Sequence, residues 1–402
     1  MTTARRPIDY PLFLTIFALV IFGLVMISSV SVFESYNLTK TLSAKDPVAY
    51  PEPTNSFYLL RSLWHTLFAL GAWFLSMWLP LSFWKRLSPL VFFGGVGLLL
   101  LLFTPLGVTL NGATGWLDIP GLPSVQPVEI AKLGLILYLA RWLEFRKTEV
   151  KSVENGLIPY ASILAIIVFL LGLQPDFGGI LIIVPIAIAM YYIAGAKTSH
   201  LLTGFVVAVV FLTLVVSFVP YVNSRFHTFL DPSVDPTNRN AGWQIQQALI
   251  AVGSGGAFGQ GFGRSVQKFG YLPEVQGDTI FAATAEEMGF FRIMLLLAAY
   301  AFIAYRGMMI AKGVQDRFAS LVATGITTWF IWQTLVNIAV NLKIFPLTGI
   351  TMPFLSYGGS SLMSLLVAAG ILLNISRNVV TRENVVHRRR IGGAYTPQSR
   401  AY

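Results

Sequence analysis

Charged and amide side chains are sparse in this chain, and they gather in a few short stretches. In Tyr271-Leu272-Pro273-Glu274-Val275-Gln276-Gly277-Asp278-Thr279 the carboxylate of Asp278 stands where an apolar, helix-like run begins. A carboxylate there can cap the helix or act as a positioned acid or base, and the two roles can coincide because a cap fixes the rotamer. Glu286 and Glu287 follow inside the apolar run, where a carboxylate is costly unless it is paired or faces water. Just upstream, Gly253-Ser254-Gly255-Gly256 and Gly259-Gln260-Gly261-Phe262-Gly263 precede Arg264 and Lys268. Such glycines let main-chain N–H groups approach an anion, or simply allow tight bends. Gln126-Pro127-Val128-Glu129-Ile130-Ala131-Lys132 puts Glu129 and Lys132 on one helix face. They form either a self-neutralising pair or a site where Lys132 meets a ligand anion. Gln174-Pro175-Asp176-Phe177-Gly178-Gly179 reads as a turn, and Pro346 to Ser361, with Ser356 inside it, as an irregular small-residue loop. The chain has no Cys and four His, which excludes disulfides and thiolate metal sites and disfavours a His-rich zinc centre. A divalent cation is compatible with the carboxylates, but no ligand cluster has diagnostic spacing.

The elements that position these groups are membrane helices. Of 402 residues 55% are hydrophobic and 11% charged, and the mean hydropathy is +0.68. So much apolar surface cannot be hidden in a soluble core, which leaves a polytopic membrane protein and excludes a soluble enzyme or nucleic-acid-binding domain. Apolar runs at Leu12–Val32, Leu63–Leu79, Leu90–Phe103, Ile130–Ala140, Ile158–Leu173, Ile180–Ile193, Leu201–Val219, Phe290–Tyr305, Phe318–Val340 and Leu362–Ile375 predict an all-α fold of ten transmembrane helices, several extending into flanking residues. With both termini cytoplasmic, every inner link carries a basic residue, as the positive-inside rule asks. The net charge of +10 then reports topology and an anionic leaflet, not nucleic acid. The plan is one membrane domain over 1–380, including a large extracytoplasmic loop over 220–279 between helices 7 and 8, and a disordered basic tail over 381–402. Asp231 to Pro236 read as consecutive turns, and Gly242 to Ala251 as an amphipathic stretch along the interface. The polar groups concentrate on the outer side beside lipid, which suits an amphiphilic ligand with an anionic head.

Five stretches in order carry a resemblance over nearly the whole chain: QPVEIAKLGLILYLA, LQPDFGG, AGWQIQQALIAVGSGG, GQGFGRSVQKFGYLPEVQGDTIFAATAEEMGF and PLTGITMPFLSYGGSS. They resemble the SEDS family, which includes FtsW, RodA and SpoVE, and Ser265, Lys268 and Tyr271 to Glu274 lean toward the FtsW/SpoVE branch. The resemblance implies a peptidoglycan glycosyltransferase in the bacterial cytoplasmic membrane at the division septum. It would polymerise lipid II on the outer face with a class B penicillin-binding protein as transpeptidase partner, among other divisome proteins. Asp278 matches the family's essential acid, and is expected as general base on the acceptor hydroxyl, with undecaprenyl pyrophosphate leaving on inversion. Lys132, Lys268, Arg225 and Lys343 are the expected cations for the departing diphosphate, and Glu129, Glu274, Trp116 and Ser356 complete the expected substrate-binding set. Gly277 and Thr279 depart from the family's context around the acid, Gly115 stands where relatives often have Arg, Val128 replaces the usual Ser, and Arg292 takes a commonly small position. The rival readings are a lipid II flippase, to which intramembrane Glu129, Lys132, Glu286 and Glu287 would lend themselves, and a noncatalytic scaffold.

Overall fold

The computed structural model describes residues 7–110, 113–119, 123–231 and 241–379. The expected tail over 381–402 and the expected turns from Pro232 to Pro236 lie outside the described residues. All ten apolar runs fall in helices: α1 (Tyr10–Val30), α3 (Phe57–Trp78), α4 (Leu81–Leu101), α5 (Pro127–Arg146), α6 (Ile158–Leu173), α7 (Phe177–Ile193), α8 (Thr198–Phe218), α11 (Ile280–Gly313), α12 (Arg317–Asn341) and α13 (Gly359–Ser376). Among the described residues, seven helical stretches are long and apolar enough to cross a membrane: α1, α4, Val153–Leu173 ending in α6, α8, α11, α12 and α13. The apolar α7 is shorter, and polar residues such as Arg61 and His65 in α3, or Glu129 and Lys132 in α5, dilute those two helices.

Among the described residues, three features depart from the plan of ten helices and loops. Helix α2 (Val32–Lys45) prolongs α1 after a break at Ser31. Strands β1 (Gly107–Leu110) and β2 (Ala113–Leu117) form an antiparallel hairpin that pairs Val108 with Trp116. Its signal was the Asn111-Gly112 dipeptide between Val/Thr-containing flanks, a hairpin pattern too short to register beside the helical periodicity. The segment over 220–279 is not one loop either, because α9 (Pro220–Leu230) and α10 (Ala241–Ser254) occupy much of it.

Helix α12 packs against α5, α7, α11 and α13 and buries Trp329 and Phe330 completely. Polar residues on α12 survive in this core because each finds a partner, and the Gln333 amide, for example, donates to Thr351 O (2.9 Å). The ten apolar helices alternate in direction along the chain, so Tyr58, Trp116, Asp176 and Asp278 share one end of the bundle. Lys85, Arg86, Arg141, Arg146, Lys197, Arg306, Lys312 and Arg317 lie at or beside the opposite end. There Arg306 pairs with Asp9 (2.6 Å), and the Asn374 amide donates to the carbonyls of Met77 (2.9 Å) and Leu79 (2.6 Å).

Candidate functional site

The segment from Gly255 to Thr279 returns from α10 to the start of α11, and buried charge pins it there. Glu287, fully enclosed, accepts Ser29 Oγ (2.7 and 2.8 Å), the Gly263 N–H (3.0 Å) and Lys268 Nζ (3.0 Å). Lys268 completes its shell by donating to Gly263 O (2.7 Å) and Ser29 Oγ (3.1 Å). Next to it Glu286 accepts Ser265 Oγ (2.5 Å) and the Val266 N–H (2.9 Å). A buried charge is tolerable when its lone pairs and protons are all engaged, and these glutamates and Lys268 serve as anchors for the segment.

The glycines serve the same anchoring. The N–H groups of Gln260 and Gly261 donate to the carbonyls of Glu286 (2.9 Å) and Glu287 (3.0 Å). A Cβ at Gly259 (φ +83°) would lie 2.2 Å from Glu287 O, and one at Gly289, whose φ of +73° breaks α11, 2.1 Å from Gly259 N. Of the two readings of these glycines, the tight bends hold and the anion cradle does not. The amides that would hold an anion are spent on α11 or on the carbonyls of α10 and the segment itself, and glycine is needed because two backbones touch.

Asp278 is treated differently. The N-cap of α11 is Thr279, so the Asp278 carboxylate is not used up in capping. It accepts the Gln244 amide of α10 (3.3 and 3.2 Å) and lines a cavity of about 2120 Å³. The main chain beside it is held from behind. Asn337 and Asn341 of α12 donate to the Asp278 carbonyl (2.8 and 2.9 Å), Ser356 Oγ donates to Gly277 O (2.7 Å), and the Tyr357 N–H donates to Gln276 O (2.8 Å). Burial, and then the neighbouring Glu274 charge, push the Asp278 carboxyl up from 3.8 to about 7, against the opposing pull of Gln244 and Arg225. A carboxyl at that level alternates between acid and base near neutral pH, as proton-transfer catalysis requires.

The cavity gathers Asp278, Glu274, Trp116 and Arg225 from the expected set. It does not gather the others. Lys132 is bound to Glu129 (2.8 Å) and Gln333 Oε1 (2.9 Å), 4.9 Å from the centre of the Trp329 ring, so Glu129 and Lys132 form the self-neutralising pair. Lys268 faces Glu287, and Lys343 lies just beyond the C-cap of α12, neither on the cavity wall. Ser356 acts behind the acid, through Gly277 O. Asp176, read as a turn residue, caps α7 by accepting the Gly179 N–H (2.8 Å) and also lines the cavity.

Sequence reasoning missed Arg61, Tyr58, His65, Asp118, Gln244 and Tyr357 on the same wall. Tyr357 packs edge-on against Tyr58 (5.1 Å between ring centres) and beside His65 (5.8 Å). Arg61 was legible in principle as a charge one turn into an apolar helix. From this polar mouth the cavity continues between α6, α7 and α8 along Leu164, Val168, Leu181, Val184, Ile188 and Val207. A headgroup with an anionic part and sugars suits the mouth, and a long hydrocarbon chain suits the groove.

Comparisons with known proteins match nearly the whole chain. The profile of the FtsW/RodA/SpoVE cell cycle protein family matches residues 10–381. The chain is 36% identical over 369 residues to a probable peptidoglycan glycosyltransferase FtsW of Trichlorobacter lovleyi, covering 92% of this chain and 93% of that one. It is 37% identical over 380 residues to stage V sporulation protein E of Bacillus subtilis, covering 94% and 99%. Among solved structures, a chain of a peptidoglycan synthase complex that coordinates polymerization and crosslinking superposes with a TM-score of 0.73 at 30% identity, covering 92% and 98%. The rod shape determining protein RodA of Thermus thermophilus superposes with a TM-score of 0.65 at 27% identity, covering 94% and 99%.

Proposed function

From the premise that this chain belongs to the FtsW/RodA/SpoVE cell cycle protein family, we propose that it is a peptidoglycan glycosyltransferase that polymerises lipid II in the bacterial cytoplasmic membrane. The observation that carries this reading is the buried, uncapped carboxylate of Asp278 at the polar mouth of a cavity whose other limb is an apolar groove. All ten apolar helices cross the membrane, and the ring of Lys and Arg at the end away from Asp278 faces the cytoplasm. The mouth is then extracytoplasmic.

Asp278 takes the proton of the acceptor GlcNAc 4-hydroxyl, whose oxygen attacks the anomeric carbon of the donor MurNAc with inversion. Undecaprenyl pyrophosphate leaves. Pyrophosphate needs charge neutralisation more than protonation, so one carboxylate suffices, unlike the paired carboxylates of glycoside hydrolysis. Arg225, half-buried on α9 and tied to Leu347 O (2.9 Å), and Arg61, exposed on α3, are the cavity-wall cations closest in chemistry to that task. The division role is supported by the family's description as cell cycle proteins, and a neighbour from a complex that coordinates polymerization and crosslinking supports a crosslinking partner, which we assign to a class B penicillin-binding protein.

The deciding assay is fluorescent lipid II incubated with the purified protein, alone and with its cognate transpeptidase. Glycan ladders are expected, and lipid II that moves between liposome leaflets without polymerising would favour the flippase instead. The structure lends the flippase little, since the charges at Glu129/Lys132 and Lys268/Glu287 are sealed in pairs off the cavity wall.

Two further results are expected from that assay. Arg61→Ala should lower the polymerisation rate about ten- to hundredfold, the size of one charge-assisted contact. An unchanged rate would remove Arg61 from diphosphate binding. The pH–rate profile should rise on its acid side with an apparent pKa of about 7, the level of Asp278. The sign for stability is opposite. Between about pH 4 and 7 the folded chain keeps a proton that the unfolded chain releases, so this group's contribution to stability falls as pH rises while activity grows. A flat rate from pH 5 to 8 would contradict the assignment.

A further inference from the structure

Asp278 is held by its main chain more firmly than by its side chain. From the rest of the bundle the carboxylate accepts the Gln244 amide at 3.3 and 3.2 Å. Behind it, two side-chain amides one helical turn apart converge on the Asp278 carbonyl, Asn337 Nδ2 at 2.8 Å and Asn341 Nδ2 at 2.9 Å. Both residues are buried, at 2% and 1% exposure. The first α11 bonds start from the next carbonyl, since Ala282 and Ala283 donate to Thr279 O (3.1 and 3.3 Å). The Asp278 carbonyl is thus turned out of the helix toward α12, and the carboxylate turns toward the cavity. Asn337 also donates to Ile350 O (2.7 Å), tying the loop before α13 to the same point. That loop returns the contact through Ser356 Oγ to Gly277 O (2.7 Å).

Buried amides in a membrane helix are costly and persist where they are bonded. Here they bond a backbone carbonyl of the reacting residue and never reach the cavity. We propose that Asn337 and Asn341 form a clamp that positions the Asp278 carboxylate for proton transfer, acting through its backbone carbonyl rather than on substrate. The clamp makes α12, a helix packed against α5, α7, α11 and α13, the rigid reference for the acid. Without it the peptide unit can rotate and swing the carboxylate away from the acceptor hydroxyl. Displacements near 1 Å can cost about a hundredfold in rate. The inference rests on the polymerase reading of the site.

The test uses the full-length protein with its transpeptidase partner and fluorescent lipid II. Asn341→Leu removes one donor and leaves Asn337 in place, and Asn337→Leu also frees Ile350 O. As a control, Asn374→Leu breaks another buried amide, one that bonds Met77 O and Leu79 O at the other end of the bundle. The expected result for folded Asn341→Leu is a fall in kcat of about tenfold or more with KM for lipid II little changed. The acid limb should also move, because the carboxylate's distance to Glu274, Arg225 and Gln244, the groups that act on it, changes. Asn374→Leu should lower the melting temperature without moving that limb. Wild-type kcat and an unmoved limb in Asn341→Leu would overturn the proposal, as would an identical kcat loss in the control at equal loss of stability. If Asn337→Leu does not fold, Asn341→Leu alone decides. Failure of the wild-type protein to polymerise would overturn the polymerase reading, a different outcome from normal polymerisation by the Asn variants.

Discussion

Asp278→Asn is expected to abolish glycan polymer formation from purified lipid II while the protein folds and binds its partner as before. The substitution keeps the shape of the side chain and an oxygen for the Gln244 amide, and removes only the ability to take a proton. General-base assistance is typically about 10²–10⁴-fold, so polymer should fall below detection in a standard end-point assay. The stability change should have the opposite sign. Burial lifts the Asp278 carboxyl to about 7, meaning that its ionised form destabilises the folded state, and a neutral amide removes that cost. At pH 8 the melting temperature in detergent should stay level or rise. An inactive variant that is also destabilised would point to a structural role, and a variant that polymerises at the wild-type rate would remove Asp278 from the mechanism.

The second large effect is on stability. Lys268→Met leaves Glu287, wholly buried, without its counter-ion. Removing one partner of a buried ion pair generally costs about 3–5 kcal/mol, enough to cut yield and melting temperature sharply in a membrane protein of ordinary stability. The double change Lys268→Met with Glu287→Gln should recover most of the loss, because the Gln can still accept from Ser29 Oγ and the Gly263 N–H. Thermal melting of the wild type, the two single variants and the double variant measures the coupling. If Lys268→Met melts like the wild type but needs much more lipid II to reach half-maximal rate, Lys268 is a ligand contact and the anchoring role assigned to it is wrong.

The contrast between Lys268 and Asp278 separates what sequence and tertiary structure each determine. The helical segments are legible because lipid imposes a local demand: a span must be long, apolar and internally hydrogen-bonded, and every apolar run from Leu12 to Ile375 duly falls in a helix. Asp278 is legible as a carboxylate at the mouth of α11, with its neighbouring Tyr271 to Gln276. Its freedom is not. A cap, a counter-ion and a base look alike until the partner is known, and here the partners are Gln244, 34 residues away, and the α12 amides 59 and 63 residues on. The same limit hid the pairing of Glu287 with Ser29, 258 residues apart, which turned an apparent polar site into an anchor. It also left Arg61 unmarked, because one arginine in an apolar helix carries no local sign of what it faces. Hydrophobicity and helical period are properties of adjacent residues and can be read along the chain. Charge compensation and access to a cavity are properties of distances between segments, and only the packed bundle decides which cations meet a glutamate and which remain open to a ligand.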